Sequence, residues 1–404
     1  MGEWIKGFDG RLDVSPPLSD EQLGQVPARR GVFALLGEGD VPIVLLTGAD
    51  IRSRLRGRLS EPEQDGPRRK TVDLRAVTRA VLWKLAHSHF ETDWRYLELA
   101  RRIWPDAYAE LLPYRPAWFV HVNPGEQFPY FARTRDAGAE EGLYVGPFAD
   151  GRSADRFIAG IQDAFNLCRD YRCLRQSPNA PRCSYAQMGR CLSPCDGTIS
   201  MDAYRRVMGE AAAVAAGGRD AFREKLTARM KQSAGELAFE RAAAIKLRLE
   251  RLAELDRLAR AAAEPLEAFR YILVQQGGST RRASVFLARQ GEIHAAGSLE
   301  YPLKPAQLRR VLSRMESLDA RAVKRDAAYA WRLGLVASYL FCGAARRGVA
   351  MRWRAETTED HLADAIESAA SHLKLRAPKP RKKKASKQAD KGADGKTQDG
   401  AGGT

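Results

Sequence analysis

The sequence predicts an α/β fold built in pieces: a small front sheet flanked by helices, a cysteine-anchored module, a helical hairpin and a small α+β unit. Three observations carry this prediction. Apolar runs at 32–36 and 43–46 flank the Gly-rich break "LGEGDVP", a β-hairpin signal that leads into the basic helix "ADIRSRL". Four cysteines, Cys173, Cys183, Cys191 and Cys195, follow one another with nine, seven and three residues between them. Residues 200–262 are almost wholly helical in pattern, and "FRYILVQQGGSTRRASVFLARQGEIHAAGSLEYP" then reads as a meander of strands joined by Gly turns.

The remaining elements follow in order. Helical periodicity fills 73–104, with Leu, Val, Trp and Ile at three- and four-residue spacings. The segment "PYRPAWFVHVNPGEQFPYFARTRD" reads as short strands punctuated by Pro and Gly, and after "GLYVGPFADG" a helix at about 153–167 leads into the cysteines. The long helical stretch breaks at "AAGGRD", and a mixed helical segment at about 304–346 precedes the tail. No repeat of solenoid length is present. The longest apolar runs, such as "VPIVLL", have strand length, and no early apolar segment carries a small-residue cleavage site. A soluble cytoplasmic protein with no membrane contact is expected.

The formal charge of +16 points to a polyanionic partner, most often nucleic acid. From Ala377 onward the chain holds eight Lys/Arg against three Asp, a net of +5, which leaves +11 for the rest. That tail, 377–404, lacks the apolar residues that would repay ordering and is expected to be disordered. The basic body is therefore the firmer indication.

Closely spaced thiols in a reducing compartment usually bind metal, and Gly189, Pro194 and Gly197 suit turns that aim several sulfurs at one point. Four thiolates satisfy tetrahedral zinc or a cubane iron–sulfur cluster, and the spacing alone does not choose between them. Cys168 and Cys342 read as ordinary packed cysteines. Further on, Leu226, Met230, Leu237, Phe239, Ala242, Ala243, Ile245, Leu249 and Leu252 form an apolar stripe broken by "SAGE". Two short helices joined there bury too little area to stand alone, so the hairpin packs on its own domain or on a similar hairpin elsewhere.

The segment "PRCSYAQMGRCLSPCDGTIS" resembles the cysteine-rich region of the UvrC family of bacterial excision-repair nucleases. Upstream, "FPYFART" and "GLYVGPFADG" are similar to the family's Y-P-Y and Y-F-G-P-F segments; downstream, "LTARMKQSAGELAFERAAAIKLRLERL" resembles its UVR helical hairpin. The resemblance covers roughly residues 27 to 300 and implies nucleotide excision repair within the SOS response. It implies a 4Fe-4S cluster on Cys173, Cys183, Cys191 and Cys195, with zinc as the alternative, and a UvrB-like helicase bound by the hairpin through Leu237, Phe239, Glu240 and Ala243. The domains it implies are an N-terminal extension (1–26), a degenerate GIY-YIG nuclease-like domain (27–135) and a Cys-rich metal-binding region (136–200). A helical region with the UVR motif at about 222–257 (201–262), a truncated RNase H-like remnant (263–376) and the basic tail (377–404) follow.

A GIY-YIG site uses two strand tyrosines, a helix arginine and a glutamate that holds a divalent cation such as Mg2+. In "GVFALLGEGDVPIVLLTGADIRSRL", Phe33 stands at the first tyrosine position and "VLL" replaces the second motif, while Arg54 falls on the catalytic arginine. Glu98 in "YLEL" matches the glutamate, with Glu110 as the weaker candidate. Loss of the hydroxyls removes a group whose contribution is typically about 10²–10⁴-fold. Arg52, Arg54, Arg56 and Arg58 retain charge for phosphate contact. The expectation is a UvrC-like protein that binds damaged double-stranded DNA through a partner and either incises it weakly or serves as an accessory. Its alternatives are a noncatalytic UvrB- and DNA-binding adaptor, or a zinc-dependent nucleic-acid-binding protein outside repair.

Overall fold

The six residues "GVFALL" are all buried because their strand is covered on both sides, each face by alternate residues. Val32, Ala34 and Leu36 pack in one cluster with Leu97 and Ala100, while Phe33 and Leu35 pack in another with Ile51 and Leu55. This computed structural model describes residues 3–15, 18–59, 73–259 and 263–376. The tail expected to be disordered lies outside the described residues. Among those described, three four-stranded antiparallel sheets form.

The first unit comprises β1 (Gly10–Asp13), α1 (Asp20–Gln25), β2 (Gly31–Leu36), β3 (Pro42–Gly48), α2 (Ile51–Leu59), α3 (Leu74–Val77), β4 (Ala80–Leu85), α4 (His89–Ile103) and α5 (Tyr108–Leu111). Its strand order is β1-β4-β2-β3. Gly31 is required where β2 meets β4, since a Cβ there would lie 2.2 Å from the Lys84 carbonyl oxygen. Two expectations are corrected here. Residues 73–104 are not continuously helical: "AVLWKL" forms β4, paired on both sides by β1 and β2, so sheet hydrogen bonding overrides the helical spacing. Residues 10–13 are an edge strand of this sheet, not part of an extension.

The second unit holds β5 (Trp118–Val122), β6 (Ala132–Thr134), β7 (Leu143–Phe148), α6 (Gly151–Phe165), the single-turn helices α7 (Tyr171–Leu174) and α8 (Ser184–Gln187), then α9 (Met201–Ala215), α10 (Arg219–Gly235), α11 (Phe239–Ala259) and β8 (Glu264–Pro265). The strand order is β6-β5-β7-β8, so this sheet crosses residue 135, where the motifs placed a boundary. The chain returns to it through β8 after the helices. Asp150 starts α6 by accepting a 2.7 Å hydrogen bond from the Ser153 amide, and Asn166 ends it in the left-handed region at φ 49°.

The third unit comprises β9 (Arg270–Gln276), β10 (Arg282–Arg289), β11 (Glu292–Glu300), α12 (Pro305–Asp319), α13 (Tyr329–Leu340), α14 (Ala344–Arg347), β12 (Val349–Arg352) and α15 (Glu359–Ser368). Its order is β11-β10-β9-β12, and none of its strands contains aspartate. The first and third units share a core in which the Phe90 ring lies 5.1 Å from both Phe286 and Tyr339. Among the described residues, no helix is long and apolar enough to cross a membrane.

Candidate nucleic-acid and metal sites

The end of β3, the start of α2 and the first turn of α4 enclose a cavity of about 590 Å³ lined by Arg30, Thr47, Asp50, Arg54, His89 and Asp93. Arg54 therefore lies in a concave site. The tyrosine counterparts do not open onto it. Phe33 is fully buried among Ile51 and Leu55, and Val44 and Leu46 pack against that same core. Glu98 is not brought to Arg54 either: its Oε2 accepts from Arg101 at 3.0 Å and its Oε1 from the buried Arg332 at 3.3 Å. Glu110 is exposed on α5.

The cavity instead gathers groups that the motif comparison missed. His89 Nδ1 lies 3.3 Å from Arg30 Nη1. Burial first, then the guanidiniums of Arg30 and Arg346, hold the His89 imidazole below its usual range, so it is neutral at pH 7. The carboxylates are already engaged. Asp93 Oδ2 accepts from the Tyr339 hydroxyl at 2.6 Å and from Arg346 at 3.0 Å, and Asp50 Oδ1 accepts from the Ser53 amide at 3.0 Å. One oxygen of each carboxylate is thereby used, and the hollow suits an anion, since the guanidiniums of Arg30 and Arg54 both line it. Nothing in the sequence singled out Arg30 and His89, because the pairing of β2 with β4 and the turn of β4 into α4 bring them together.

The four arginines of α2 have different duties. Arg52 donates to the Val26 carbonyl at 2.7 Å and to the Gly24 carbonyl at 2.8 Å, so it braces the preceding loop. Arg56 lies 3.7 Å from Asp20. Arg54 and Arg58 are exposed and make no ion pair among the described residues. They are the pair available to phosphate.

The thiols lie in the turns between α6 and α9, and none forms a disulfide. Cys195 is fully buried, Cys191 nearly so, and Cys173 and Cys183 are half-buried. Cys168, read from sequence as ordinary packing, is buried against Cys191 in the same core cluster. A shared hydrogen bond pulls the Cys191 thiol down and, together with burial, pushes Cys168 up. Burial, then the neighbouring Cys183 and Cys191, raises Cys195. Among the described residues, no three His, Cys, Asp or Glu side chains already stand close enough together to hold a metal ion. Five thiols lie along these turns, and Cys191 Sγ accepts the Ser193 amide at 3.4 Å, a bond that favours thiolate.

The hairpin α10–α11 has a fixed base and a bare tip. At the base, Leu226, Leu252 and Leu255 are buried in the cluster that includes Ile161 of α6. The Arg248 guanidinium stacks over Phe165 and Phe222 at 4.6 and 5.0 Å while donating to the Ala164 carbonyl at 2.8 Å. Burial lowers its pKa. At the tip, Leu237 is 73% exposed and Phe239 65% exposed, with Glu240 and Ala243 also exposed beside them. Leu237 adopts φ 58°, and the Ala238 amide donates back to the Ser233 carbonyl at 2.9 Å, closing the turn.

Residues 117–214, which run from β5 to the end of α9, match the family of the UvrC/Cho excinuclease middle domain. The UvrABC system protein C of Hyphomonas neptunium is 23% identical over 274 residues, covering 67% of this chain and 44% of its own length. That of Syntrophotalea carbinolica is 25% identical over 299 residues, covering 71% of this chain and 47% of its own. That of Rhodopseudomonas palustris is 29% identical over 189 residues, covering 44% and 27%. The chain spans less than half the length of these curated relatives. No solved structure matches. The middle-domain match and this spread of similar sequences, at low identity and over part of each chain, together support a UvrC-family member.

Proposed function

We propose that this chain acts in nucleotide-excision DNA repair, holding damaged double-stranded DNA with its basic front domain and a UvrB-like helicase with the tip of its hairpin. The observation that carries the reading is the bare tip: Leu237 and Phe239 stand in solvent on a hairpin whose base is fixed to the family-matched domain. Exposed apolar side chains on a rigid support are a ready anchor for a partner helix pair. The front cavity is read as a phosphate grip, because Arg30 and Arg54 face it while Asp93 is held by Tyr339 and Arg346.

The same reading places a soft metal site among the thiols, a 4Fe-4S cluster or, as the alternative, zinc. Such a group would cross-link the turns between α6 and α9 and so stiffen the base of the hairpin. The protein's own part is to supply thiolates and the Ser193 amide that donates to Cys191.

A second reading, slow incision, has one observation in its favour: neutral His89 beside Arg30 could accept a proton from an attacking water. The test is anisotropy titration with a lesion-bearing duplex, alongside a nicking assay with and without Mg2+. Binding that weakens steeply with salt, a salt slope lowered by about one in Arg54→Ala, and no nicking are expected. Nicking that vanishes in His89→Ala would favour the second reading; salt-independent or absent DNA binding would refute the first.

A further inference from the structure

We propose that the junction between the first and third units is a second phosphate site, through which one strand of a bound duplex runs from the front cavity onto the third unit. The inference rests on the reading of this chain as a DNA-binding protein, and it gives a part in that binding to a unit whose strands carry no aspartate.

Sheet geometry opens the hollow. Alternate residues of β10 share a face, and on the face turned to the first unit Phe286 and Ala288 enter the core shared with Phe90 and Trp94. Arg282 and Ser284 continue that face past the core, with Ser284 opposite Ser298 of β11. There they meet Arg29, Lys84, His87 and Arg95 around a space of about 600 Å³. Glycine allows the close approach: a Cβ at Gly278, in the turn from β9 to β10, would stand 3.1 Å from His87 Cε1. The turn is fixed, since the Gly277 amide donates to the Arg282 carbonyl at 2.9 Å and the Tyr301 amide to the Arg281 carbonyl at 2.8 Å.

Charge in this hollow is one-sided. Four permanent cations, Arg29, Lys84, Arg95 and Arg282, line it with a single carboxylate, Asp9. Both Asp9 oxygens are already used, by Lys84 Nζ at 2.5 Å and by the Leu85 amide at 2.8 Å. Arg95 lies 3.6 Å from Glu91, and its Nε is buried with no acceptor among the described residues. Exposed Arg29 has Nη2 3.4 Å from His87 Nδ1, the arrangement that Arg30 and His89 repeat in the front cavity. Arg282 reaches Glu300 at 3.3 Å, an exposed pair of the kind that contributes little and leaves the guanidinium open to phosphate.

The hollows form a row, and a row favours a strand over a lone anion. Arg30 lines the front cavity and its neighbour Arg29 lines the junction. Ser279 and Arg282 line both the junction and a further hollow of about 450 Å³ that holds Arg281 and Lys304. A nucleic-acid strand presents one negative charge per nucleotide, so consecutive cationic hollows match it.

The test uses full-length protein and a lesion-bearing duplex. Arginines of the wild type are modified with phenylglyoxal, with and without duplex, and mapped by mass spectrometry, an arm that needs no variant to fold. Duplex should protect Arg29 and Arg282, while exposed Arg309 of α12, which lines none of these hollows, should react as before. In anisotropy titrations, with circular dichroism to establish folding, the double variant Arg29→Ala/Arg282→Ala should lower the salt slope by about two, and adding Arg54→Ala by about one more. An unchanged slope in the double variant, or Arg29 and Arg282 still reactive in the complex, would overturn the junction site. A slope still lowered by Arg54→Ala would then leave the front-cavity reading intact. Protection by inorganic phosphate at matched ionic strength, but not by duplex, would make this a free-anion site and would equally overturn the assignment. Wild type that does not bind the duplex would overturn both readings.

Discussion

Replacing Phe239 with alanine isolates the hairpin tip from everything beneath it. The ring is 65% exposed, so little of it is used in the fold. A phenylalanine offers roughly 200 Å² for burial, of which about 130 Å² is still in water here, worth about 3 kcal/mol on docking. Ordering the partner side chains that meet it costs about 1 kcal/mol. The net of about 2 kcal/mol corresponds to a Kd raised roughly 30-fold. Calorimetric titration against the terminal hairpin segment of a UvrB-like helicase reads this directly. The melting temperature should stay near wild type, since a surface truncation typically moves stability by about 0.5 kcal/mol or less. Wild-type affinity in Phe239→Ala would refute the anchoring argument. A weakened interaction with an equally lowered melting temperature would show that the side chain supports the hairpin instead.

Phe33→Tyr should destabilise by about 1–3 kcal/mol in chemical denaturation without conferring nicking, because its hydroxyl would enter the fully buried cluster with Ile51 and Leu55 and find no partner. Glu98→Gln should lower stability by about 1–3 kcal/mol while leaving the DNA affinity unchanged, since Glu98 pairs with buried Arg332 rather than facing the front cavity. The depressed pKa of His89 predicts a pH dependence. The unfolded chain takes up this proton first as pH falls through 6.5, so the stability tied to the neutral imidazole is full above that value and declines below it. His89→Gln should flatten the loss between pH 7 and 5 in denaturation midpoints; an unchanged slope would mean that other groups govern it.

Local patterns were legible where one element suffices. The hairpin of β2 and β3 could be read from two apolar runs and a Gly-rich break, and α6 from its apolar period, to within two residues at either end. The three helices after residue 200 could be read in the same way, with their break at Gly217 and Gly218. Reading failed where distant partners decide. β4 has a helix-compatible spacing of apolar residues, yet it lies between two strands whose open edges it satisfies.

The site divides along the same line. From residue types alone came the basic character, the density of thiols and the arginines of α2, with Leu237 and Phe239 as part of an apolar stripe. Charge and sulfur chemistry belong to residues wherever the chain places them. Only the tertiary structure decided that Glu98 braces Arg332, that Phe33 faces a core, that Arg30 and His89 meet beside Arg54, and that Cys168 lies against Cys191. Each of these pairings spans at least 18 residues of sequence, 18 being the separation of Phe33 from its core neighbour Ile51. Each is set by which faces bury together, and no local spacing encodes that.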